Sequence, residues 1–187
     1  CFPIFNRIKE EIGSSKISTI SVEGGNWNIA SNAIHFIDIF YFLTGNIDIK
    51  VYSSNIESKI YKSKRDDYID LYGEMTFINS DGSLLRLINL KHSVLPVLLY
   101  IQFLDERLYL DMTNSKLYNL KRINNYSIVE ETVELPHMSD FSYTIIHNIL
   151  INNECSLINL NEARILHKPI FKLINQHLYK VTGKKYS

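Results

Sequence analysis

Ser31 and His35 are the residues whose types and spacing best suit chemistry in this chain. Four positions apart, they share one face of any helix that contains both. An imidazole on a polar stripe near a helix start can serve as general acid or base near neutral pH. A hydroxyl one turn away can orient that ring or anchor a substrate oxygen. Asp38 follows three positions after His35, on a neighbouring part of the face, while Ile34, Ile37 and Tyr41 mark a separate apolar face. His35 therefore borders the core without having to enter it. Upstream, Gly24-Gly25-Asn26-Trp27-Asn28 makes a glycine-paired polar loop into the helix, and Trp27, Asn28 and Asn32 flank the site as candidate substrate contacts. The same residues also suit a structural histidine that ties loop to helix by hydrogen bonds.

Rival constellations are thinner. His35 with Asp38 suggests a metal pair, but no third ligand stands at a suitable spacing, and His137, His147, His167 and His177 are scattered singles, so no metal site is expected. Ser31, His35 and Asp38 also suggest a hydrolase triad, yet a helical serine lacks the Gly-x-Ser-x-Gly turn that exposes such a nucleophile. No Gly-x-Gly-x-x-Gly or phosphate-cradling loop is present. Cys155 lies in a polar loop with no neighbouring base, which argues against a nucleophile. Cys1 and Cys155 are too few for a disulfide framework or zinc cluster, and are read as free thiols of a reducing, cytoplasmic compartment.

Alternating and helical patterns show what must position these groups. Residues 2–12 carry Phe5, Ile8 and Ile12 at helical spacing, with Pro3 suited to the first turn and Gly13 to the end. Residues 16–22 alternate as a strand, residues 23–28 form the turn-rich connection, and residues 30–43 form a helix stopped by Thr44-Gly45-Asn46. Strands are predicted over 49–56, 68–78, 84–90, 97–104, 108–112, 116–120 and 128–135, with a polar loop at 59–67. The short links at Ser80-Asp81-Gly82, Asp105-Glu106 and Thr113-Asn114-Ser115 imply antiparallel hairpins. Helices return at 140–151 and 159–179, the second capped by Asn159 with Glu162 and expected to kink or divide at Pro169. The predicted class is α+β: one open, largely antiparallel (mixed) sheet with helices packed on one face. Large side chains on both alternations, including Tyr72, Met75, Phe77 and residues 98–103, leave the other face available for oligomerisation.

Composition narrows the function classes. A chain of 187 residues, 45% hydrophobic, is long enough to bury one ordinary domain core. Its 20 Lys+Arg balance 20 Asp+Glu, so no basic excess marks a nucleic-acid or membrane-surface partner. No apolar run reaches the roughly 18 residues of a membrane span. No cationic start leads into an apolar stretch.

The run from Gly24 to Gly45, with His35-Phe36-Ile37-Asp38 and the closing Leu43-Thr44-Gly45, resembles the C-terminal domain of the Gfo/Idh/MocA family of NAD(P)-dependent oxidoreductases. That family often shows a Gly-Gly loop, an Asp four residues before a His, an Asp three after it, and a Leu-x-Gly helix end. Asp81-Gly82, Leu95-Pro96-Val97 and the run from Phe103 to Leu110 are similar to its sheet hairpins; Leu160-Asn161-Glu162-Ala163 and His167-Lys168-Pro169 are similar to its last helix.

The resemblance implies that residues 1–187 are a single C-terminal substrate and oligomerisation domain. An N-terminal Rossmann domain, absent from this chain, would hold most of the NAD or NADP. The chain begins at Cys1 and is expected to be part of a longer protein, without turnover alone. The implied substrate is a sugar, sugar nucleotide or cyclitol oxidised at a hydroxyl or reduced at a ketone. His35 falls on the family's catalytic histidine. Ser31 stands where the family usually has Asp, so it can position a group but cannot hold a charge against an imidazolium. That departure keeps a second expectation open: a non-catalytic, sheet-mediated dimerisation module that kept the fold and lost the chemistry.

Overall fold

The computed structural model describes residues 3–63, 68–135, 138–153 and 157–184. In chain order its elements are α1 (Pro3–Ile12), β1 (Ile17–Gly25), α2 (Ile29–Thr44), β2 (Ile49–Ile56), β3 (Tyr61–Lys62), β4 (Ile69–Asp70), β5 (Gly73–Asn79), β6 (Leu84–Leu90), β7 (Leu98–Phe103), β8 (Glu106–Asp111), β9 (Lys116–Lys121), β10 (Ile128–Thr132), α3 (Met138–His147) and α4 (Leu160–Thr182).

Eight strands form one open sheet in the order β10-β9-β8-β7-β1-β6-β5-β2, and β3 with β4 form a separate two-stranded ribbon. β1 runs parallel to β6 and antiparallel to β7; the remaining neighbours in the large sheet pair antiparallel. The class is the one predicted. Alternation sets the two faces. Ile20, Val22, Leu85, Leu87, Leu99 and Ile101 are fully buried on one of them. α1, α2 and α4 cover that face, α2 lying against α4, β1 and β6, and α1 against α2. α1 docks through Ile4, Phe5, Ile8 and Ile12, an apolar stripe at helical spacing. On the opposite face the register lines up Tyr118, Tyr109, Tyr100, Ser21, Arg86 and Thr76 across successive strands. Tyr100 and Tyr109 pack with centroids 5.1 Å apart and ring planes tilted by 42°.

The structure corrects several predicted boundaries. Gly24 and Gly25 belong to β1, not to a turn. β1 lies between β6 and β7, so the link from β6 to β7 must cross its end. That crossing is close: the Gly25 N–H donates to the Leu95 carbonyl at 3.0 Å, and a Cβ on Gly25 would fall 1.8 Å from the Ser93 carbonyl oxygen. Glycine is there because no side chain fits beneath the link.

The predicted strand at 68–78 divides into β4 and β5, because Gly73 takes φ 123° and passes against Asn55. Part of the expected 59–67 loop is strand β3, paired with β4 through Tyr61 opposite Asp70; residues 64–67 lie outside the described residues. The predicted helix at 140–151 ends at His147 and widens into a π turn over Asn148–Asn152, closed by Asn153 in the left-handed region. α4 runs as one element through Pro169, so the proline does not divide it. Its cap is as expected: the Asn159 side chain accepts from the Glu162 N–H at 2.9 Å.

Candidate functional site

β1 and β6 are parallel, so their C-terminal ends lie at the same edge of the sheet, and the loop into α2 starts there. α2 begins without a side-chain cap from its own cap residue. Asn28 sits at φ 57° and its side chain makes no capping hydrogen bond. Instead its Oδ1 accepts from the Ser63 hydroxyl at 3.0 Å. Asn26, two residues earlier, is also left-handed at φ 54°, and its Oδ1 accepts from the Tyr72 hydroxyl at 2.9 Å. Non-glycine residues in this region are held there by their surroundings, and such strain gathers at functional loops.

The tether continues through Trp27 and Asn89. The Trp27 indole N–H donates to the Ile88 carbonyl at 2.8 Å, and its ring meets Phe36 edge-on at 5.4 Å. The Trp27 backbone N–H donates to Asn89 Oδ1 at 3.2 Å. Asn89 Nδ2 donates to the Leu71 carbonyl at 2.7 Å and to Asp70 Oδ2 at 3.3 Å. Asp70, only 1% exposed, accepts from the Leu71 N–H at 2.9 Å and from the Ala30 N–H, in the first turn of α2, at 3.5 Å. A carboxylate from the ribbon therefore caps the helix from outside its own sequence. Burial pushes the Asp70 carboxyl above the usual aspartate range, against the pull of these N–H donors. Burial, then the neighbouring Asp70 charge, pushes the Tyr72 phenol up.

Ser31 and His35 emerge from this scaffold on the exposed side of α2. Among the described residues neither side chain has a hydrogen-bond or ion-pair partner, so both are open to a ligand. The structure therefore keeps the Ser31–His35 pair on one face but gives the flanking candidates different settings. Trp27 is buried and Asn32 donates to the Trp27 carbonyl at 2.7 Å, so both shape the loop. Asn28 is half-buried and tied to the ribbon.

Asp38 turns away toward α4, where its Oδ1 meets His167 Nε2 at 2.7 Å. That pair ties α2 to α4, and the scattered His167 finds its use there. Among the described residues no three His, Cys, Asp or Glu side chains cluster as metal ligands. Cys1, Cys155 and His137 lie outside the described residues.

Sequence reasoning missed Asp70, Asn89, Tyr72 and Ser63. One signal was present for Asn89: it shares the strand parity of Leu85 and Leu87, so a polar residue falls at an inward position. Asp70 likewise interrupts an apolar run between Ile69 and Leu71. Their long-range partners lie 18 to 62 positions away, and no local pattern encodes those pairings.

The paired glycines are covered by the 91–97 link, Gly24 by Val97 and Gly25 by Ser93.

No protein-family model matches the sequence, and no curated protein matches it. Solved structures do. A dehydrogenase from Clostridium difficile superposes with TM-score 0.69 at 13% identity over 93% of this chain and 58% of its own. A UDP-N-acetylglucosamine 3-dehydrogenase from Acidithiobacillus ferrooxidans gives 0.64 at 11% identity, over 90% of this chain and 56% of its own. A biliverdin reductase from a Synechocystis species, solved with biliverdin and NADP+, gives 0.66 at 11% identity, over 94% and 60%. The chain spans less than two thirds of the length of each. These superpositions show that the chain has the fold of the C-terminal domain of the Gfo/Idh/MocA-type dehydrogenases.

Proposed function

We propose that this chain is the substrate domain of an NAD(P)-dependent oxidoreductase acting on a sugar, sugar nucleotide or cyclitol at a hydroxyl or ketone. The observation that carries the reading is the exposed Ser31–His35 pair on α2, beside a loop of two left-handed asparagines tethered at the edge of the sheet. His35 takes the proton from the reacting hydroxyl in one direction and returns it in the other. Ser31 holds the ring or a substrate oxygen by a hydrogen bond. Trp27, Asn28 and Asn32 belong to the substrate loop, Trp27 and Asn32 through the shape they give it. In this reading the NAD or NADP is bound mainly by a separate Rossmann domain, which makes the isolated chain inactive. The sugar-type substrate is supported by the sugar-nucleotide dehydrogenase among the structural relatives. A reducing, cytoplasmic setting accompanies the assignment, as does a homo-oligomer joined through the open face with its tyrosine row.

The test is His35→Ala in the complete enzyme, followed by substrate-dependent turnover. The expected loss is about 100-fold or more. Activity within a few-fold of the parent removes His35 from the chemistry. A second reading, an interaction module without catalysis, is favoured by Ser31 where the family usually carries Asp. It predicts that the parent protein turns over no faster than the His35→Ala variant while keeping its oligomeric state.

A further inference from the structure

We infer that Asp70 is a positioning residue for the Ser31–His35 pair: a buried carboxylate on the β3–β4 ribbon that fixes the first turn of α2, and with it the aim of His35. The inference rests on the proposed function for its catalytic consequence, and on geometry alone for its structural one.

A helix start leaves several backbone N–H groups without partners inside the helix. The residue normally placed to satisfy them is the N-cap, through its own side chain. Asn28 is the right residue type for that task and does not perform it, because its side-chain Oδ1 accepts instead from the Ser63 hydroxyl. Asp70 supplies the acceptor from a site forty residues further along the chain. Its second oxygen is held by Asn89, which also holds the Trp27 N–H and the Leu71 carbonyl. One buried side chain pair therefore connects β6, the ribbon, the Trp27 loop and α2.

His35 lies less than two turns beyond Ala30 on the same helix, so a shift of the first turn carries the imidazole with it. Small displacements of a catalytic group lower turnover steeply, even from residues that never touch substrate.

Two variants separate the hold on α2 from mere loss of fold. Asp70→Asn keeps the shape and replaces one acceptor oxygen by a donor. Ala30→Pro removes the capped N–H at a first-turn position where proline is tolerated. Amide hydrogen exchange of the 187-residue chain is the first readout. Both variants should speed exchange at Asn32 and Ala33 by about tenfold or more, with Ile20 and Leu87 in the sheet unchanged. In the complete enzyme, both should lower kcat about tenfold or more while KM stays within about threefold. Unchanged exchange at Asn32 and Ala33 overturns the inference, and so does faster exchange spread evenly over the sheet. Faster first-turn exchange with unaltered kcat overturns the positioning role. If His35→Ala proves harmless, the catalytic reading falls by itself, and the exchange result still decides whether Asp70 holds α2.

Discussion

The two ends of α2 are built on opposite plans. At its C-terminal end Gly45 adopts φ 69° and its N–H donates to the Tyr41 carbonyl at 2.7 Å. Everything needed is local, and a Cβ on Gly45 would meet nothing within 4 Å. At the N-terminal end the helix is started by Asp70, Asn89, Ser63 and Tyr72, all brought from later in the chain. One end is a stop signal that any soluble helix can use. The other is an assembled mount, and the exposed Ser31 and His35 sit beside it. The contrast teaches where tertiary structure has been committed to precision rather than to stability alone.

The contrast can be broken at either end. Asn89→Leu is the heavier blow, because it strands the Trp27 N–H, the Leu71 carbonyl and one Asp70 oxygen together. A loss of about 3 kcal/mol is expected in urea unfolding, and a loss below about 1 kcal/mol would mean that the mount is not cooperative.

Proton linkage sharpens the picture further. The folded Asp70 carboxyl titrates above its ordinary 3.8, so its stabilising contribution is complete below that value and declines as pH rises through the folded value. The stability gap between the parent chain and Asp70→Asn should accordingly widen on acidification from neutral pH. A gap that narrows would show the carboxylate, not the acid, to be the favoured buried form.

Gly45→Ala is the mildest change. With open space around the new Cβ, only the left-handed backbone is penalised, by about 1 kcal/mol. Turnover of the complete enzyme should be unaffected, and a clear fall in kcat would erase the distinction between the two ends.

The same contrast explains what the sequence disclosed. Gly45, Asn159 and the Asp81-Gly82 turn are local chemistry, and each was legible. So were the α+β class, the sheet order's hairpins, and the Ser31–His35 face. β2 and β6 matched their predicted limits, Ile49–Ile56 and Leu84–Leu90. The status of Gly24 and Gly25 was not legible, since their reason is a link passing overhead seventy residues later. Asp38 was read beside His35 from helical spacing, while His167, 129 positions away, draws its side chain toward α4. Asp70 was invisible as a cap because capping is looked for next to the helix it serves.

The place of β1 carries a consequence for how the chain reaches this state. β6 and β7 follow each other directly, yet they are not neighbours; β1, made long before either, fills the slot between them. Two consecutive strands close on one another faster than either closes on a distant one, since the shorter loop loses less entropy. A β6–β7 hairpin is therefore the pairing that loop closure alone would favour, and the native order, with β1 between the two strands, has to outcompete it.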